Sequence, residues 1–390
     1  MYLDWRLLEG EMGYANTRKR FLSPWKDSLE KPSIYHCISR VVDRRFVFGD
    51  EEREAFRMFM RMYENFTGCR VLSYCVMSNH FHILLEVPPM PLLANGSGAA
   101  GQKGLSDEEL LRRLGSIYGE RFVKSVEEEL IAARTEGGVE GGNPERVQEI
   151  HERFTKRMHN LSHYMKTLLQ RFTRWFNRKH ERTGTLWEDR FKSVIVESGT
   201  AARTMAAYID LNPVRAGMVE DPADYRWSSY GEAVGGGRKG NGKKAREGLV
   251  RAITSDRVVD AEEGFDARKW KEASRSYRRL MGMALERKAL NAKVATSGQM
   301  KITKNDAEAL ESGDNQTVLP ELKMARMLRH RVRYFTDGAV IGSKGFVNDV
   351  FEASRERFSE KRKDGARKMR GDAKAAAGTL WSARDLRVGV

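Results

Sequence analysis

The stretch Arg70–Val87 (RVLSYCVMSNHFHILLEV) limits the fold more than any other part of the chain. Two apolar runs rich in β-branched and aromatic residues flank the tight connection Ser78-Asn79. Pro88 and Pro89 stop the second run, because proline cannot donate to a strand ladder. This predicts a pair of strands over Arg70–Met77 and His80–Val87. Side chains alternate across a strand, so His80 and His82 leave one face a few ångströms apart while Phe81 packs on the other. Two neutral imidazoles on a rigid strand make a good start on a divalent metal site. Eight histidines in 390 residues yield about 0.16 HxH triplets by chance, so the spacing alone also suits an ordinary half-exposed pair.

Other elements fall into place around this pair. Ser33–Val42 (SIYHCISRVV) alternates as a strand. Asp50 caps a helical pattern to about Asn65, with Phe56, Phe59, Met60 and Tyr63 on one stripe. Residues 91–104 and 135–144 read as flexible loops. Asn160–His180 is an amphipathic helix with Leu161, Met165, Leu168, Leu169, Phe172 and Phe176 inward. Phe191–Glu197 is a fourth strand, and Thr200 caps a helix that stops before Pro213. The order predicts an α+β fold: a ferredoxin-like split βαβ antiparallel sheet, covered by helices on one face, with a helical insertion at about 91–180. The organisation is a lead-in at 1–32, this domain at 33–230, a Gly/Lys-rich linker at 231–248, and a helical, basic C-terminal region at 249–390.

Lys and Arg number 69 against 54 Asp and Glu, a formal charge of +15, which favours a polyanionic partner, nucleic acid above all. No apolar run reaches spanning length and the N-terminus lacks a signal-peptide core, so the expectation is a cytoplasmic, nucleoid-associated protein without a membrane partner. Cys37, Cys69 and Cys75 have no CxxC spacing and sit in apolar segments, which points to buried thiols in a reducing compartment.

The segment Tyr208-Ile-Asp-Leu-Asn212-Pro213 carries a second candidate. Residues four apart share a helix face, so Tyr208 and Asn212 point together, which suits a nucleophile beside an amide ligand. Taken alone, an aromatic near a helix end before an Asn-Pro stop is more often structural.

The combination resembles the HUH nucleases, and more closely the REP-associated tyrosine transposases. YHCISR, SYCVMSNHFHILLEV, GTLWEDRFKSVIVE, YIDLNPVRAGMV and YRWSSY follow that family's order over about residues 33–230. The resemblance implies that His80 and His82, with Asn212 as third ligand, hold Mg²⁺ or Mn²⁺. It implies that Tyr208 attacks a DNA phosphate to give a 5′-phosphotyrosine and a free 3′-hydroxyl. The substrate would be single-stranded DNA with a palindromic hairpin, and the protein a monomer or homodimer. The central insertion is longer than in compact members.

His36 and Arg40 on the first strand, Arg190 and Lys192 at the start of the fourth, and Arg171, Arg174 and Arg178 on the 160–180 helix are candidate DNA contacts. Each can equally be a solvated face. The C-terminal region reads as added DNA grip from its charge. Trp187 reads as core rather than a base-stacking platform, and Tyr164 is a weaker nucleophile because Leu168 stands at its i+4 position. Three rivals remain. One is an RNA-recognition-type module, which lacks its aromatic strand pattern here. A second is a metal hydrolase using water, without an HExxH or similar cluster. The third is a catalytically silent, domesticated DNA-binding protein of the same fold.

Overall fold

The computed structural model describes residues 21–89, 105–136, 142–235, 242–254, 267–289, 328, 335–336, 338–369 and 380–383. The lead-in before residue 21, the loop expected at 91–104 and the middle of the expected linker lie outside the described residues.

The mixed α/β frame begins with β1 (Ser33–Arg40), α1 (Asp50–Thr67) and the hairpin β2 (Arg70–Val76) and β3 (His80–Val87). It returns through β4 (Lys192–Val196). β1 pairs antiparallel with both β3 and β4, and β2 with β3, which gives the order β2-β3-β1-β4 of the expected split βαβ layout. Helix α1 is capped by Gly49, one residue before the expected cap Asp50. The Glu52 carboxylate accepts the Gly49 N–H at 2.8 Å, and Asp50, Glu51 and Glu52 lie in the first turn, where the helix dipole favours negative charge. Gly68, at φ 71°, ends the helix in the left-handed region that glycine reaches without strain.

In the inserted stretch, α2 (Asp107–Leu114), α3 (Glu120–Thr135) and α4 (Pro144–Thr155) pack on one another and on α1. Helix α5 (Leu161–Lys179) lies against α1 and leads the chain back to β4. On this face of the sheet Phe81 meets Phe56 at 4.7 Å and Trp187 at 5.5 Å between ring centroids.

The other face is covered too, contrary to the one-sided sheet expected. Helix α6 (Thr200–Asp210) crosses it, capped at Gly199 rather than Thr200, and continues into α7 (Asn212–Arg215). A run such as HFHILLEV, apolar on both parities after its histidines, belongs to a strand buried on both sides.

The stretch 231–248, expected as a linker, is helical at both ends, in α8 (Ser229–Gly235) and α9 (Lys243–Ile253). Helix α9 sits so tightly on β2 that a Cβ on Gly248 would lie 2.2 Å from the Val71 carbonyl oxygen. Close approach of backbones explains this glycine as well as flexibility does. Beyond it come α10 (Ala267–Ala289) and α11 (Lys344–Ala353), the helical content expected there. The region also adds three short strands. β5 (Val340–Gly342) pairs parallel with β4, and β7 (Trp381–Ala383) joins β5 to β6 (Arg367–Lys368), extending the sheet to seven strands. Two- and three-residue strands are too short to show alternation in sequence.

Cys37, Cys69 and Cys75 are buried free thiols, as read from their segments. Among the described residues no helix is long and apolar enough to cross a membrane.

Candidate active site

The register of β1 sets the site. Arg40 lies opposite His80 and Ile38 opposite His82, while Lys192 of β4 also opposes Ile38. Directly opposed residues share a sheet face, so His36, Arg40, His80, His82 and Lys192 stand on the face that α6 crosses. The His80 and His82 rings are 5.1 Å apart at 79°, and Phe81 is on the opposite face, as the alternation requires.

Helix α6 brings Tyr208 onto this cluster. Its ring stands edge-on to His82, at 5.7 Å and 90°, and to His36, at 6.0 Å and 77°. The ring of Phe335 stacks on Tyr208 at 4.7 Å and 19°, leaving the tyrosine 2% exposed.

His36 differs from its expected role. It is 0% exposed, so it offers DNA no surface in this structure. Its Nδ1 lies 2.8 Å from the Phe335 carbonyl oxygen and its Nε2 lies 3.0 Å from His82 Nδ1. On the hairpin, Asn79 touches His80: its Oδ1 is 2.7 Å from His80 Nδ1, and its Nδ2 donates to the Arg44 carbonyl at 2.8 Å.

Asn212 opens α7, and its Nδ2 donates to the carbonyls of Tyr208 and Ile209 at 3.1 and 3.2 Å, closing the end of α6. Those bonds turn the amide oxygen away from the carbonyls, so the oxygen is the atom left to serve a ligand. Arg215, one further turn along, donates to the Tyr208 carbonyl at 2.8 Å and to that of Leu328 at 2.9 Å. Its guanidinium lies 5.0 Å over the Tyr208 ring. Arg215 is not among the candidates drawn from the sequence, although it sits seven residues after Tyr208 on the same helical side and within the segment YIDLNPVRAGMV. Phe335 carried no signal at all.

Burial dominates the electrostatics. It pushes His36 down to about 4, with the Phe335 carbonyl opposing. It pushes His80 down to about 4, with help from Arg40, and holds His82 well below the usual imidazole range, with help from His80, His36 and Arg215. Burial also lowers Arg215 to about 10. All three imidazoles are therefore neutral near pH 7, the form that binds metal. Among the described residues no group of three or more His, Cys, Asp and Glu side chains is placed to hold a metal ion. The two imidazoles suit part of a divalent site, and the remaining donors would have to be amide, phosphate or water oxygens.

The other candidates separate by face. Arg40 and Lys192 are exposed on the histidine face, and Arg190 is exposed just before β4. Arg174 and Arg178 are exposed, and Arg171 lies over the Phe59 ring at 5.6 Å, but α5 packs with α1 on the opposite face. The structure does not bring these three to the histidines. Trp187 belongs to the aromatic core with Phe48, Phe81 and Phe172. Tyr164 is buried, its hydroxyl donating to the Met60 carbonyl at 3.1 Å, away from the site.

Residues 31–94 match the family described as Transposase IS200 like. No curated protein matches the chain. A solved structure described as that of the REP associates tyrosine transposase bound to a REP hairpin is similar at 12% identity and a TM-score of 0.30, over 58% of this chain and 88% of that one. A superposition that loose shows nothing more about this chain. Strand β1, helix α1 and the hairpin that carries His80 and His82 are the part of this chain that matches the IS200-like transposases, as the resemblance in the sequence implies.

Proposed function

We propose that this protein cleaves and rejoins single-stranded DNA bearing a hairpin, with Tyr208 as nucleophile. The observation that carries the reading is the approach of Tyr208, on α6, to the paired imidazoles of β3 on one sheet face. The phenolic oxygen bonds to the scissile phosphorus as the bond to the 3′ oxygen breaks. The product is a 5′-phosphotyrosine and a 3′-hydroxyl, which takes up the proton the phenol gives up. The ester keeps the phosphodiester energy, so a later 3′-hydroxyl reverses the step and joins new ends.

His80, His82 and the Asn212 amide oxygen would hold Mg²⁺ or Mn²⁺. A cation there supplies Lewis-acid stabilisation of charge on the phosphoryl group. Arg215, over the Tyr208 ring, favours the phenolate and fixes the end of its helix. Arg40, Lys192 and Arg190 supply phosphate contacts beside the site, and the basic C-terminal region adds grip. Action on chromosomal DNA would place the protein at the nucleoid.

A second reading, a catalytically silent DNA-binding protein of the same fold, is favoured by one observation: Tyr208 is covered by Phe335. Incubation with hairpin-bearing single-stranded DNA and Mg²⁺ or Mn²⁺, followed by a denaturing gel, separates the two. Catalysis gives a protein attached to the 5′ end, lost without metal and in Tyr208→Phe. An adduct that survives Tyr208→Phe overturns the nucleophile, and no adduct on any hairpin favours the silent protein.

A further inference from the structure

We propose that His36 and Asn79 are positioning residues that fix His82 and His80 in the tautomers presenting Nε2 to a divalent cation. The inference rests on the metal reading of the paired imidazoles and goes beyond it, by naming the ligating atoms and what holds them.

Two hydrogen-bond chains decide the proton positions, and each ends on a backbone carbonyl, which can only accept. On the His82 side, the Phe335 carbonyl lies 2.8 Å from His36 Nδ1, so that nitrogen carries a proton. His36 is fully buried, and among the described residues its contacts are a carbonyl, an imidazole and the Tyr208 ring, with no carboxylate. A ring so placed is neutral, because a buried charge without a partner is costly. Its Nε2 is then an acceptor, and the 3.0 Å contact requires a proton on His82 Nδ1. The lone pair of His82 is left on Nε2.

On the His80 side, Asn79 could be read in either amide orientation, but its other end settles the matter. The Arg44 carbonyl accepts at 2.8 Å, so the atom facing Arg44 is Nδ2 and the atom facing His80 is Oδ1. Oδ1 only accepts, so the 2.7 Å contact puts the proton of His80 on Nδ1 and its lone pair on Nε2. Both strand imidazoles reach the same tautomer by separate routes, one through β1 and one through the turn before β3. A ligand imidazole with its other nitrogen anchored is held in orientation and made more basic, and loss of such an anchor weakens metal binding by about 10- to 100-fold.

The test uses the full chain without DNA. Mn²⁺ affinity is measured by titration calorimetry, and histidine tautomers by ¹⁵N NMR of the metal-free protein. The expected result is Nδ1-protonated His80 and His82 in wild type. His36→Leu and Asn79→Ala should each bind Mn²⁺ about 10- to 100-fold more weakly. His36→Gln keeps an amide donor for Phe335 and an oxygen for His82, and Asn79→Asp keeps an oxygen for His80, so both should bind close to wild type or tighter. Nε2-protonated His80 or His82 overturns the proposal, and this readout needs no variant to fold. Wild-type affinity in both His36→Leu and Asn79→Ala also overturns it while leaving the metal reading intact. No Mn²⁺ binding by wild type overturns both.

Discussion

The ring of Phe335 lies parallel to that of Tyr208 at 4.7 Å, so the candidate nucleophile is shielded by a residue from the far end of the chain. Stacked rings at this distance attract, and burial of both adds apolar area removed from water. Phe335→Ala should cost about 3–5 kcal/mol if the site stays open, less if it collapses. It should also expose Tyr208. Nitration by tetranitromethane, mapped by peptide mass, is expected to reach Tyr208 faster in the variant than in wild type, and adduct yield on hairpin DNA should rise. Equal nitration rates would mean that something other than Phe335 shields the tyrosine.

On the other side of α6, Asp210 is fully buried and ties the C-terminal region to the site helix. Its carboxylate accepts from the Tyr277 hydroxyl of α10 at 2.7 Å and from the Tyr230 N–H at 3.0 Å. Burial raises the Asp210 carboxyl to about 7, so at pH 8 Tyr277→Phe removes one donor from a carboxylate that has no access to water. The expected loss is about 1–3 kcal/mol, read as a lower urea midpoint with an unchanged slope. A midpoint equal to wild type would show that the carboxylate finds another partner.

The split βαβ frame is legible because each element carries its own signal. The Phe56, Phe59, Met60 and Tyr63 stripe marks α1, and the parity of His80, Phe81 and His82 assigns faces to β3 from the sequence alone. His36 is legible as a residue that bears chemistry, but not in its surroundings. A histidine alternating with apolar residues reads the same on an open face and under a helix, and only the position of α6 decides. Contacts between residues far apart in the sequence leave no local trace: Phe335 on Tyr208, Arg215 reaching the Leu328 carbonyl, and β5 pairing with β4. The basic stripe on α5 is visible in sequence, yet its side of the sheet is fixed by packing on α1, which sequence periodicity does not report.

Acid lability should trace in part to the inserted helices. Glu109 accepts from Arg112 at 2.6 Å and from Arg113 at 2.7 Å, and these partners hold its carboxyl at about 2, against the burial that raises it. A carboxyl depressed in the folded state stabilises above its ordinary value near 4.5 and loses that contribution as pH falls toward 2. Glu109→Gln should therefore be less stable than wild type at pH 7, with the gap closing between pH 4.5 and 2. Both partners are partly solvated, so the gap is about 1 kcal/mol at most. Urea melts across this range check it, and a gap that widens on acidification would reverse the assignment.

Binding to DNA should divide the exposed cations by sheet face. Arg40 and Lys192 share the face of His80 and His82, whereas Arg174 and Arg178 ride on α5 behind the sheet. A cation that neutralises a phosphate releases a counterion, so its loss flattens the plot of log affinity against log salt by about 0.7–0.9. Arg40→Ala and Lys192→Ala should each do so on hairpin-bearing single-stranded DNA, measured by fluorescence anisotropy over a salt series. Arg174→Ala and Arg178→Ala should leave the slope unchanged, because a strand passing over the histidines cannot also cover the far helix layer. If the α5 variants flatten the slope and the strand variants do not, the DNA runs over the wrong face for Tyr208 to reach it.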